Sequence, residues 1–93
     1  MNAIQSGLVL AARSISTSYR DVITADTLAA ALRSGEAPRR FHPHLMALLD
    51  ETPLPVLLKA VAEAATPAAP VQAIMDNLRH WASEWKTCRT TWQ

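Results

Sequence analysis

Glycine occurs only twice in this chain, at Gly7 and Gly35. That scarcity removes a class of sites: there is no glycine-rich phosphate cradle, Walker loop, dinucleotide fingerprint or Gly-x-Ser-x-Gly elbow. Cysteine occurs once, as Cys88, so neither an intrachain disulfide nor a zinc site built on paired thiolates can form. Charge is also sparse. Charged residues make up 18% of the chain, and nine basic against eight acidic side chains leave a formal net charge of +1. Such a chain has no strong field to steer it toward nucleic acid or an anionic membrane. No segment alternates polar and apolar residues over a strand length, and no Asn-Gly or Asp-Gly pair marks a hairpin. The apolar run 7–12 is too short to span a bilayer and has no basic residue before it. A cytoplasmic, soluble protein is expected.

What is present is helical periodicity. Residues 2–19 place Ile4, Leu8, Ala11, Ala12, Ile15 and Tyr19 on one face. Gly7 weakens the first turns by about 1 kcal/mol relative to alanine. Val9 and Leu10 fall off the stripe and are either covered by a neighbouring helix, the favoured reading, or exposed for a partner. A second helix follows, with Thr24 as its cap, Asp26 in its first turn, Leu28, Ala31 and Leu32 on its apolar face, and Gly35 as its stop.

Residues 36–42 are irregular and contain Pro38, Arg39, Arg40 and Phe41. Pro43 opens a third helix that runs to about Asp50. It is so apolar that both flanks are expected to be covered. Thr52 is placed to cap a fourth helix, with Pro53 and Pro55 in its opening turn and Lys59 and Glu63 spaced as a surface pair. Residues 66–70 break the chain, because Pro67 and Pro70 exclude a continuous helix. A final helix is then predicted over 71–92. Its stripe is Val71, Ile74, Met75, Leu78, Trp81, Ala82, Trp85, Cys88 and Trp92. The fold expected is all-α: one compact domain over residues 1–93, with about five helices, four short and a long amphipathic C-terminal one.

The polar cluster with most chemical promise is the basic turn. Arg39, Arg40, His42 and His44, with Arg33 nearby, precede a helix N-terminus, where free amides and the dipole favour an anion or an acidic partner. The plainer explanation is a solvated loop with Phe41 pinned in the core. As a helix-turn-helix the region fits poorly. Its turn is about twice the usual three to four residues, and Pro43-His44-Leu45-Met46 offers no Arg, Lys, Asn or Gln side chain for base edges. His42 and His44 flank a proline with no third metal ligand near in sequence. His80 and Cys88 lie about 12 Å apart along one straight helix, too far for a thiolate–imidazole pair. Neither a cofactor, a metal nor an enzymatic function is expected.

The tryptophans remain. Trp81, beside Leu78, is expected in the core. Trp92 is expected at an interface, because a bundle of about 90 residues rarely extends a covering surface to its last residue. Trp85 falls between these environments. Tryptophan is enriched at binding hot spots, so Trp85, Cys88, Arg89 and Trp92 are the expected partner-binding residues. The function expected is a non-catalytic protein-interaction module, an adaptor, regulator or inhibitor, that binds a protein partner or itself as a homodimer. The alternative is a nucleic-acid-associated regulator using the Arg39–Arg40 turn.

Overall fold

A computed structural model describes residues 6–16 and 22–86. Among these residues it contains five α-helices and no strand. They are α1 (Gly7–Ser16), α2 (Ala25–Ser34), α3 (His42–Glu51), α4 (Leu54–Ala64) and α5 (Val71–Trp85), with a 3-10 turn, Arg39–Phe41, leading into α3. The protein is an all-α bundle, as its periodicity predicts. α1 lies mainly along α4, α2 touches α1, α4 and α5, and α3 packs on α1 and α5. The radius of gyration is 12.3 Å, against about 12 Å for a compact chain of this length.

Leucine supplies most of the core volume. Leu28, Leu32, Leu45, Leu48, Leu49, Leu57 and Leu78 are fully buried, together with Ile23, Ile74 and Val61. Burying each such side chain contributes about 1.5–3 kcal/mol before entropy is counted. α3 is covered less completely than its composition suggests. Leu45, Leu48 and Leu49 face inward, but Met46 is 38% exposed. Val9 is likewise exposed rather than covered, and Leu10 is half-buried.

The ends of α2 follow local sequence rules. The Thr24 hydroxyl accepts the Thr27 amide at 3.1 Å. Gly35 adopts φ 78°, and its amide closes on the Ala31 carbonyl at 2.8 Å. The start of α4 does not. Pro53 occupies the cap position without a side-chain bond. Thr52 instead ends α3 in an extended conformation, with its side chain buried. Its hydroxyl therefore points into the core rather than to the α4 amides, and it has no hydrogen-bond partner among the described residues.

α1 begins in a way local sequence could not specify. The Ser6 hydroxyl accepts the Val9 amide at 3.2 Å and donates to Glu63 Oε1 at 2.7 Å. The same carboxylate, reaching across from α4, accepts the Gly7 amide at 2.8 Å and the Leu8 amide at 3.0 Å. A negative group thus sits on the positive end of the α1 dipole and satisfies amides that would otherwise be orphaned. Lys59 acts on Glu63 through its charge, as their spacing predicts, but the hydrogen bonds of Glu63 go to another helix.

Desolvation raises the Glu63 carboxyl. The Ser6 hydroxyl, the Gly7 and Leu8 amides and the nearby Lys59 charge together outweigh it and hold Glu63 below its ordinary value. The sign follows from linkage. With the folded-state value depressed, the unfolded chain takes up this proton first as the pH falls. The stabilisation is present above the ordinary glutamate value, about 4.3, and is lost as the pH falls through the folded value. Replacing Glu63 with Gln is expected to cost about 1 kcal/mol at neutral pH, an amount typical of a cap. It should also flatten the acid side of the stability profile. Urea midpoints at neutral and acidic pH check this; parallel pH profiles for the two proteins would refute it.

Candidate functional site

The irregular segment after α2 and the last turns of α5 come together in space. The Trp81 indole Nε1 on α5 donates to the Gly35 carbonyl at 2.9 Å. One turn before it, Asn77 Nδ2 donates to the Leu32 carbonyl at 2.8 Å and lies 3.4 Å from that of Arg33. α5 therefore supplies partners for carbonyls that the end of α2 leaves open. Trp85, one turn beyond Trp81, stacks on it with ring centroids 5.7 Å apart and planes at 13°. On the other element, His42 approaches Trp85 at 5.1 Å between centroids. His42 Nε2 is also hydrogen-bonded to the Ala37 carbonyl at 3.1 Å.

These contacts border a groove of about 250 Å³. Gly35, Glu36, Ala37 and His42 line one side, and His80, Trp81, Glu84 and Trp85 the other. Trp81 is buried, whereas Trp85 and His42 are half-buried and form its aromatic floor and edge. His80 Nε2 pairs with Glu84 Oε2 at 3.2 Å on the exposed rim. The groove offers imidazole, carboxylate and indole groups. Its lining has no serine, threonine, cysteine or lysine to act as a nucleophile. A larger and more open hollow of about 400 Å³ is lined by Val9, Ala12, Arg13, Ser16, Val22, Ile23 and Ala25. It is nearly all apolar, and its one hydroxyl, Ser16, already donates to Ala12 and accepts from the Ile23 amide. Convergent polar groups distinguish binding sites, so the smaller groove is the candidate.

The expected anion site is dispersed. Arg33 is half-buried, and its Nη1 donates to the Ala64 carbonyl at 3.2 Å, completing the C-terminal end of α4. His44 is 2% exposed and packs edge-on against Phe41, with centroids 5.3 Å apart. The reason is angular: two residues along a helix turn a side chain by about 200°. His42 therefore faces α5 while His44 faces the core. Two of the amides invoked for an anion are also occupied. That of Phe41 bonds the Pro38 carbonyl, that of His42 bonds the Arg39 carbonyl, and Pro43 has none. Arg39 and Arg40 remain exposed on the turn, with Arg40 lying 4.8 Å over the Phe41 ring.

α5 is shorter than predicted. Lys86 takes a left-handed conformation, φ 51° and ψ 54°, and its amide closes on the Ala82 carbonyl, so the helix ends at Trp85. Cys88, Arg89 and Trp92 lie outside the described residues. Of the expected partner-binding residues, Trp85 is the one described, and it lies in the groove. The tryptophan stripe and the basic turn looked separate in sequence; Trp85 and His42 join them. Glu36 and Glu84, which were not singled out, belong to the same groove, as does His80, which was weighed only against Cys88. The i,i+4 spacing of His80 and Glu84, one turn around Trp81, is the signal that marks them.

Among the described residues no group of three or more His, Cys, Asp or Glu side chains is arranged to hold a metal, and no helix is long and apolar enough to cross a membrane. No protein family, curated relative or solved structure matches the chain.

Proposed function

We propose that this chain is a small non-catalytic protein-interaction module, an adaptor, regulator or inhibitor, that engages a protein partner through the groove at the end of α5. The observation that carries the proposal is Trp85. It is a large rigid ring, half-buried, with its position set by His42 and Trp81. An aromatic group fixed in advance loses little entropy on binding, and such residues dominate interface energetics. Glu36, His80 and Glu84 supply a polar rim of the kind that surrounds hot spots. The nucleic-acid alternative loses support, since Arg33 is engaged within the bundle and His44 is buried. Self-association has one specific feature in its favour. Leu54 and Leu58, one turn apart on α4, are 39% and 46% exposed.

Selection of a random peptide library on the intact chain tests the proposal, with Trp85→Ala as the counter-target and circular dichroism as the folding control. Enriched peptides are expected to lose binding to the folded variant. Peptides that bind both proteins equally, or no enrichment at all, would remove the groove as an interaction site. Light scattering at high protein concentration tests the homodimer, and a strict monomer excludes it.

A further inference from the structure

Apart from two imidazoles, His42 bonded to the Ala37 carbonyl and His80 paired with Glu84, the ionisable groups lining the groove are carboxylates. Glu36 comes from the segment after α2 and Glu84 from α5, while no lysine or arginine contributes to the lining. Among the described residues Glu36 forms no ion pair. Glu84 is held only by His80, through a rim contact whose side chains are 69% and 58% exposed, for His80 and Glu84 respectively. Such surface pairs are weak and readily exchanged for a better partner. The nearest cations in sequence do not close the site. Arg40 is stacked over Phe41, and Arg39 and Lys86 are exposed but line no part of the groove.

We propose that the groove receives an arginine side chain presented by a partner protein. The inference rests on the interaction role proposed above and names the chemistry of its partner. A guanidinium is planar and can lie against an indole face while its fork of N–H donors meets a carboxylate. Trp85 and Glu84 are consecutive residues on α5, and Glu36 lines the same groove from the other element. Charge-assisted, two-pronged bonds to carboxylate are the strong ones. An apolar side chain would leave the Glu36 carboxylate without a charged partner, and an acidic one would meet like charge. Size points the same way. At about 250 Å³ the groove falls below the roughly 300–1,000 Å³ of pockets that enclose whole small molecules. It suits one side chain rather than a metabolite.

The test uses the intact, isotope-labelled chain and two short capped peptides, one carrying arginine and the other citrulline, its uncharged near-isostere. The arginine peptide is expected to shift the Trp85 indole signal and the His80 and Glu84 amides saturably. The citrulline peptide should bind at least about tenfold more weakly, the factor expected for losing charge-assisted bonds. The double variant Glu36→Gln, Glu84→Gln should weaken arginine binding by a similar factor while leaving the citrulline response and circular dichroism unchanged. Both positions are exposed, so folding is not at stake. Equal binding of the two peptides, arginine binding that survives the double variant, or no saturable response would overturn the inference. Failure here is distinguishable from failure of the interaction proposal. Trp85-dependent library peptides lacking arginine refute this inference alone; the absence of any Trp85-dependent binder refutes both.

Discussion

Replacing Trp81 with Ala is expected to lower unfolding free energy by about 3–5 kcal/mol, the range for removing a large buried aromatic side chain. Three contributions are lost together. The ring is only 4% exposed, so its removal leaves a cavity in the core. Its Nε1–H bond to Gly35 disappears, leaving a carbonyl at the end of α2 without that partner. The ring beneath Trp85 is also gone, so the groove loses its support. Small domains often have about 5–15 kcal/mol in total, so this one change would consume a large share. Trp81→Phe separates the contributions. It keeps most of the ring and loses the donor, which should cost about 1 kcal/mol for the hydrogen bond plus a smaller packing loss. Urea unfolding followed by circular dichroism measures both variants. A Trp81→Ala protein as stable as the parent would show that α5 does not organise the core as described.

Gly7→Ala should also be strongly destabilising, which reverses the usual sign. In an exposed helix interior the change from glycine to alanine gains about 1 kcal/mol. Here the new Cβ would sit 2.6 Å from the Ala60 amide nitrogen, 2.8 Å from Lys59 Cβ and 2.9 Å from the Lys59 carbonyl carbon. Two of those atoms are backbone, so no rotamer change relieves the overlap. α1 must move away from α4, at a cost of about 2–3 kcal/mol for such overpacking. That movement also pulls the Ser6, Gly7 and Leu8 donors from Glu63, one turn farther along α4. The two sites are therefore coupled, and Gly7→Ala combined with Glu63→Gln should cost less than the sum of the single changes. Denaturant midpoints for the four proteins of the cycle give the answer. A neutral or stabilising Gly7→Ala would disprove the close approach.

Much of the fold was legible because it depends on near neighbours in sequence. The caps of α2, the proline breaks and the leucine stripes need only local rules, and Thr24, Gly35 and Leu78 behave as those rules require. The errors share one cause. Gly7 looked like a weak spot because its partner surface is more than fifty positions away. Glu63 looked like half of a surface pair, and Arg33 like a ligand for an external anion. Glu63 and Arg33 instead satisfy backbone groups of other helices, and Gly7 gives α4 room to approach. No spacing rule gives such pairings, because they follow from how the helices dock. Thr52 was misplaced by one residue, which is enough to turn a cap into a buried hydroxyl. The candidate site was half legible. Trp85 and His42 were each singled out, but only the docking of α5 on the end of α2 brings them together.

Side chains that complete other helices' ends also bear on how the bundle comes apart. An isolated helix frays from its ends, because its last turns hold few bonds. In this bundle the start of α1 is held by α4, the end of α4 by α2, and the end of α2 by α5. These ends form a chain of dependence through four of the five helices, and the turn of α4 around Glu63 and Ala64 takes part in two of its links. Detaching one helix leaves the next with open backbone groups. Partial unfolding is penalised at each step, so these four helices are expected to open together.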